Sequence, residues 1–287
     1  MQFVYLDGGD GTKIKGEEKL KLSVIIPTHP GHRRFIKPCV EHCKALGAED
    51  ITILYDNKLK LFAGVPSVVN YLPADDVCQM VDSLLLNKRD LPYGGVGVPW
   101  YFEHRDAYGL MYSRKAELVL SINGDCAITN VKGFHKFVKD FIAGGYDIAP
   151  TNYHPDNFGT MGFLATGNGY VRLMTRLIDV LFDSQTNAET RVAQSVKALG
   201  LKAMDTGWPI DRSFSKSDTL HEGIWGKDLG FIHMHGTEKY RIGSKILPLA
   251  PEFYDTRYLR PNEVSALTAY WKDGDVKHLY KHNYWKE

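Results

Sequence analysis

Apolar and polar positions alternate in short blocks that read as strands, turns and helices in succession. Residues 22–27 form a β-branched apolar run ended by Pro27, and Thr28-His29-Pro30-Gly31 then supplies turn chemistry. A helical period follows from about residue 33 to 46, closed by Gly47. Residues 51–55 predict a second strand ending on Asp56-Asn57, and residues 65–72, bounded by Gly64 and Pro73, a third. Asp75 or Asp76 can cap a helix running through 84–86, and a glycine-rich loop at 93–99 leads into a helix predicted over 101–115. Residues 119–128, Val-Leu-Ser-Ile-Asn-Gly-Asp-Cys-Ala-Ile, are an apolar strand that halts on a short acidic turn and restarts as an apolar run. Strands alternating with helices through short connections predict an α/β fold with a mostly parallel sheet.

The second half is less regular. Helical periods occupy 133–142, 170–182 and 189–199, short strands are predicted over 146–150 and 201–204, and a last helix over 263–271. Residues 151–169, polar, aromatic and glycine-rich, are expected to form a long connection of the kind kept for binding or for a lid. The sequence holds no repeat and no low-complexity tract. The expected organisation is one domain with an irregular second half: 1–130 and 131–255 as its two halves, then 256–287 as a C-terminal helix and a basic, aromatic tail.

Composition narrows the classes. At 287 residues, 44% hydrophobic and 24% charged, the chain can bury a sizeable core. Lys plus Arg (35) balance Asp plus Glu (34), so the overall field recruits no polyanion. Cys39, Cys43, Cys78 and Cys126 are scattered and read as reduced core thiols, although Cys39 and Cys43, one helical turn apart, could suit a metal. No stretch approaches eighteen continuous apolar residues and the N-terminus lacks the layout of a signal peptide, so a cytoplasmic protein without a transmembrane segment is expected.

The chemistry gathers at strand ends, where ligands collect in an open α/β sheet. Asp125 follows an apolar strand at such an end. His233 and His235 alternate with apolar residues in Gly-Phe-Ile-His-Met-His-Gly, which puts both imidazoles on one strand face, with Lys239 and Arg241 nearby. Each feature also has a structural reading: Asn123-Gly124-Asp125 as a plain β-turn, the histidines as core residues, Asp56 as an Asx-turn with Asn57, and Thr186-x-x-Glu189 as a capping box.

In order and spacing these motifs resemble the nucleotide-binding half of a GT-A glycosyltransferase, most similar to family 2-like inverting enzymes. The opening strand of that family is similar to Ser23-Val24-Ile25-Ile26-Pro27-Thr28, its second strand ends in acidic residues as Ile53-Leu54-Tyr55-Asp56 does, and its Asp-x-Asp turn corresponds to Asn123-Gly124-Asp125. The resemblance implies a GT-A, Rossmann-like sheet flanked by helices, a nucleotide-sugar donor, uridine-linked by default, and transfer with inversion to a hydroxyl acceptor. It implies Mn²⁺ or Mg²⁺ on Asp125 with His233 or His235 as a further ligand. It implies donor contacts from Pro27, Thr28, His29, Asp56, Arg105, Asn123, Gly124 and Asp125. Here Asn123 stands where the family has its first aspartate.

The family's general base opens the helix after the acceptor loop, which makes Glu189 the candidate; its usual Glu-Asp pair is Glu189-Thr190 here, and Asp156, Asp205 and Asp211 are the alternatives. Tyr153, His154, Asp156, Gly162 and Trp208 are acceptor-site candidates, and Trp100 and Trp225 further stacking platforms. The acceptor is expected to be a saccharide or glycoconjugate, or a hydroxymethylated DNA base, an option that the basic aromatic tail keeps open; the oligomeric state is not legible. A nucleotidyltransferase and a non-catalytic sugar-nucleotide-binding module are the competing readings. A Rossmann dehydrogenase is disfavoured, since no G-x-G-x-x-G follows the first strand.

Overall fold

A computed structural model describes residues 3–4, 18–19, 21–28, 32, 34–55, 69–73, 111–112, 115–159, 161–180, 188–207, 223–233, 239–242, 245–248, 250–275 and 277–280. In chain order its elements are β1 (Phe3–Val4), β2 (Glu18–Lys19), β3 (Leu22–Thr28), α1 (Ile36–Ala45), β4 (Asp50–Tyr55), β5 (Val69–Pro73), β6 (Leu118–Ile122) and β7 (Cys126–Ile128). There follow α2 (Val131–Ala143), β8 (Ile148–Pro150), β9 (Tyr153–His154), β10 (Asn157–Phe158), β11 (Gly162–Thr166), α3 (Gly167–Val180), α4 (Ala188–Ala198) and α5 (Ile224–Lys227). The chain continues with β12 (Phe231–His233), β13 (Lys239–Ile242), β14 (Lys245–Pro248), α6 (Pro261–Asp273) and α7 (Lys277–Tyr280).

Six strands make the main sheet, in the order β5-β4-β3-β6-β11-β8. β5, β4, β3 and β6 pair in parallel, and β11 runs antiparallel between β6 and β8. The sheet is therefore mostly parallel, as the strand-helix alternation predicts. β3 is the hinge of the arrangement because Val24, Ile25 and Ile26 are wholly buried, so both of its faces are covered. Val24 and Ile26 join Ile36, Val40, Phe134 and Phe141 on the face covered by α1 and α2. Ile25 faces Tyr170, Leu173, Leu177, Val192 and Val196 on the face covered by α3 and α4.

Local chemistry explains the helices. Phe134, Phe137 and Phe141 share one face of α2, the Asn130 side chain caps it by accepting from Gly133 N–H at 3.0 Å, and the chain leaves through Gly145 at φ +61°. In α6 the Glu263 carboxylate accepts from the Arg260 backbone N–H at 2.6 Å and Pro261 sits in the first turn. A third cluster packs this C-terminal segment against the entry to α1 and against β7 through Phe35, Ala127, Phe253, Tyr254, Leu259 and Leu267.

Several sequence expectations change. Residues 151–169 are not one irregular connection: they hold the β9–β10 hairpin, strand β11 and the start of α3. Gly-Phe-Leu-Ala-Thr is apolar enough for an inner strand, but glycines and polar residues on either side disguise it. The run after the acidic turn leaves the main sheet, since β7 pairs with β12 instead. Of the third strand expected over 65–72, residues 69–72 are described and lie in β5; 65–68 are outside the described residues. Residues 201–204 contribute only a parallel bridge between Ala203 and Ile148. Of the helix expected over 101–115, only 111–112 is described and helical. No helix among the described residues is long and apolar enough to cross a membrane.

Candidate active site

Backbone bonds build the acidic turn. Asn123 C=O accepts from Cys126 N–H at 2.9 Å, which closes the turn between β6 and β7. Asn123 N–H donates to Met161 O and Gly124 N–H to Pro27 O, each at 3.0 Å, so the turn is tied to the entry of β11 on one side and the end of β3 on the other. Gly124 is needed for that approach: a Cβ there would run into Ile36 Cδ1 and lie 2.8 Å from Thr28 Oγ1. The carboxylate that follows is thereby held at the C-terminal edge of the parallel strands, beside the end of the first core strand.

Asp125 is only 2% exposed, yet it does not point into apolar packing. Its Oδ2 lies 3.4 Å from His32 Nε2 and 3.4 Å from His233 Nε2. His32 belongs to the segment leading into α1, where its carbonyl accepts from Phe35 N–H at 2.8 Å. His233 ends β12, and the register of β12 on β7 sets it opposite Cys126. Both contacts are longer than an ordinary N–H···O hydrogen bond, which falls at about 2.7–3.2 Å. Carboxylate oxygen and imidazole nitrogen, as Asp125 and His233 offer them, are donor types that a divalent transition ion accepts.

Donor atoms of Asp125, Cys126 and His233 also lie within 4.8 Å of one another. Cys126 Sγ sits 3.8 Å from Asp125 Oδ1 and 3.9 Å from Met161 O. Burial first, and then the charge of Asp125, push this thiol well above its ordinary range, so the sulfur keeps its proton. Cys39 and Cys43 are buried on the inner face of α1, and Cys39 Sγ approaches Asn123 O at 3.8 Å. They pack beneath the turn as apolar residues do.

A second group of polar residues lies toward the same edge. The Oγ1 atoms of Thr28 and Thr151 and the Oδ1 atoms of Asn152 and Asn157 are buried with no hydrogen-bond partner among the described residues. Thr28 ends β3, while Thr151 and Asn152 follow β8, whose direction matches that of β3 and β6. Buried polar atoms of this kind are uncommon and call for a bonding partner. The β9–β10 hairpin continues from there and packs on α4, where Asn157 hydrogen-bonds the Glu189 side chain. Burial raises the Glu189 carboxyl above its usual value, and the Asn157 bond opposes that rise in part. α4 descends from this edge, since after the turn at Gly200 (φ +63°) Ala203 bridges Ile148 in parallel.

No protein-family model and no curated protein sequence matches the chain. Among solved structures it is similar to the crystal structure of a candidate nucleotide-diphospho-sugar transferase from Desulfovibrio desulfuricans G20, with 10% identity, a TM-score of 0.39, and cover of 65% of this chain and 79% of that one. An overlap of that size assigns no residue a role.

The remaining expected site residues divide by position. Pro27 and Thr28 end β3 beside the acidic turn, and Gly162 opens β11 opposite Ile122, close to that turn but inside the sheet rather than in a loop. Tyr153 packs against Phe158 with the rings tilted by 36° and their centroids 5.3 Å apart, and His154 Nδ1 accepts from Asp156 N–H at 3.2 Å at the exposed hairpin tip. Asp205 Oδ1 accepts from Gly207 N–H at 2.9 Å, a turn-forming bond. Trp225 is a core residue, wholly buried against Phe137 and Phe231, and not a stacking platform. His29, Asp56, Trp100, Arg105, Trp208, Asp211 and His235 lie outside the described residues. His32 was not expected at the site. Its signal was the second histidine of Thr28-His29-Pro30-Gly31-His32, in the loop after a parallel strand, where ligand contacts gather.

Proposed function

We propose that the protein is a metal-dependent glycosyltransferase that moves a sugar from a nucleoside diphosphate, uridine-linked by default, to a hydroxyl acceptor with inversion. One observation carries this reading: a buried carboxylate at the C-terminal edge of a mostly parallel sheet, with its Oδ2 3.4 Å from the His233 imidazole. Asp125 and His233 would hold the divalent cation, Mn²⁺ or Mg²⁺. Bound there, the ion would neutralise charge developing on the leaving diphosphate. Thr28, with its orphaned hydroxyl, and Pro27 would line the nucleoside, and Asn123 would offer a neutral amide to the ribose.

Glu189 would act as the general base. The acceptor oxygen forms a bond to the anomeric carbon as the bond from that carbon to the diphosphate oxygen breaks, and the hydroxyl proton goes to the Glu189 carboxylate. Its place against the hairpin that carries Tyr153, His154 and Asp156 supports this, because those residues would face an acceptor there. General-base assistance is worth about 10²–10⁴-fold, and Glu189→Gln should lose turnover by that order while still binding donor.

The test is a thermal-shift panel of UDP, GDP, CDP and ADP with and without Mn²⁺. Selective stabilisation by one diphosphate, dependent on the ion and absent in Asp125→Ala, is expected. A shift that is the same in Asp125→Ala, or none with any diphosphate, would remove the proposal. Donor consumption with an oligosaccharide mixture or with duplex DNA carrying hydroxymethylated bases then separates the two acceptor classes.

A further inference from the structure

We propose that Cys126 is the third protein ligand of the cation, and that the resulting set of carboxylate, thiolate and imidazole makes the site prefer Zn²⁺ to Mn²⁺ and Mg²⁺; this rests on the reading of Asp125 and His233 as ligands of a divalent cation. One donor atom from each of the three residues lies within 4.8 Å of the other two, and all three residues are buried. His32 borders the carboxylate at 3.4 Å without belonging to that group. Cys39 and Cys43, on the inner face of α1, do not belong to it either.

Strand pairing makes the grouping. β12 runs antiparallel to β7 with His233 directly opposite Cys126. Opposed residues of an antiparallel pair send their side chains to the same face, with Cβ atoms about 4.5–5.5 Å apart. Asp125 comes one residue before Cys126, in the turn that the bond from Cys126 N–H to Asn123 O closes at 2.9 Å. Its carboxylate meets both partners there, Oδ2 3.4 Å from His233 Nε2 and Oδ1 3.8 Å from Cys126 Sγ. Around a four-coordinate Zn²⁺ with bonds of about 2.0–2.3 Å, neighbouring ligand atoms stand roughly 3.3–3.7 Å apart. The imidazole already has that spacing from the carboxylate, and the sulfur stands slightly beyond it.

The sulfur decides which ion is preferred. Mg²⁺ and Mn²⁺ suit carboxylate, carbonyl and water oxygens, whereas Zn²⁺ is bound tetrahedrally by thiolate, imidazole and carboxylate. With the neutral Asn123 in the turn, the Asp125 carboxylate and the Cys126 thiolate together balance the charge of a divalent ion. The thiol gives its proton to the buffer as the sulfur bonds the metal. Three protein ligands leave the fourth position of a tetrahedral ion for water or for a diphosphate oxygen, which is the pattern of catalytic rather than structural zinc.

Purified full-length protein, stripped of metal, is titrated with Co²⁺ as a spectroscopic substitute for Zn²⁺, and the bound Co²⁺ is then displaced with Zn²⁺, Mn²⁺ or Mg²⁺; each titration is repeated with UDP. The wild type should show a near-ultraviolet thiolate-to-cobalt band, which Zn²⁺ abolishes at about stoichiometric amounts and Mn²⁺ only at about a hundredfold excess or more. Cys126→Ser should lose the band and bind Zn²⁺ about tenfold or more weakly. Cys39→Ala/Cys43→Ala/Cys78→Ala, in which Cys126 is the one cysteine left, should keep the band, and this holds even where Cys126→Ser folds poorly. No thiolate band in the wild type, while Asp125→Asn and His233→Ala lose Mn²⁺ uptake, overturns the inference and leaves the proposed function standing. A band that persists in Cys126→Ser or disappears from the triple variant assigns the sulfur to another cysteine and overturns it as well, as does Mn²⁺ displacing Co²⁺ as readily as Zn²⁺ does. A wild type that takes up none of Co²⁺, Zn²⁺ and Mn²⁺, with or without UDP, brings down the proposed function itself.

Discussion

Gly124→Ala tests whether the acidic turn is held by close packing against the end of β3. The added methyl would collide with Ile36 Cδ1 and lie 2.8 Å from Thr28 Oγ1 and 3.0 Å from Thr28 Cβ. Overpacking of this kind costs about 1–3 kcal/mol. Gly124 is not among the positive-φ residues, so alanine can adopt its backbone, and the stiffer unfolded chain returns about 0.4–1 kcal/mol. The expected net loss is about 1–2 kcal/mol. Ile36→Val deletes the very atom that collides, Cδ1, and alone should cost about 0.5–1.5 kcal/mol for the lost packing of a wholly buried side chain. If the collision dominates, the double variant is no less stable than Gly124→Ala alone, a favourable coupling of about 1 kcal/mol. Urea unfolding followed by circular dichroism measures this as midpoints at constant slope. Additivity within about 0.3 kcal/mol, or a neutral Gly124→Ala, would refute the packing argument and with it the account of how Asp125 is held in place.

Other expectations are as direct. Because burial raises Glu189, the acid limb of the rate profile should lie above the ordinary glutamate range, and Asn157→Leu, which removes the opposing hydrogen bond, should move it higher still. A profile unchanged in Asn157→Leu would separate that bond from the catalytic group. The same shift has a stability sign: the fold binds an extra proton between the unfolded and folded values, so stability falls as pH rises through that window, and Glu189→Gln should flatten this slope in pH-dependent denaturation. Asp255 is the opposite case. Hydrogen bonds from Arg257 at 2.9 and 2.6 Å hold its carboxyl below the usual value, so its contribution is present above the ordinary aspartate range and lost as pH falls through the depressed value. Asp255→Asn should therefore lose stability at neutral pH and show a weaker acid dependence. Asn130→Ala, which removes the cap of α2, should cost about 1 kcal/mol in the same unfolding assay.

Much of the fold could be read along the chain because the signals are local. The β-branched run that becomes β3, the glycine that ends α1 and the acidic turn after β6 are each decided by side chains a few residues apart, through pleat alternation, helical period and turn sterics. β11 escaped for a related reason: both its faces are buried, Leu164 in one core cluster and Phe163 and Ala165 in the other, so it has no alternation to show, and its flanking glycines resemble a loop. The sequence by itself thus determined an α/β chain with an acidic turn at a strand end. Only the tertiary structure decided what that acid meets. His32 reaches it because β3 and β6 pair in parallel and bring their ends together, and His233 because β12 pairs with β7 in a register that sets it beside the turn. Pairing between distant segments depends on the free energy of the whole packed sheet, which no local window of residues contains.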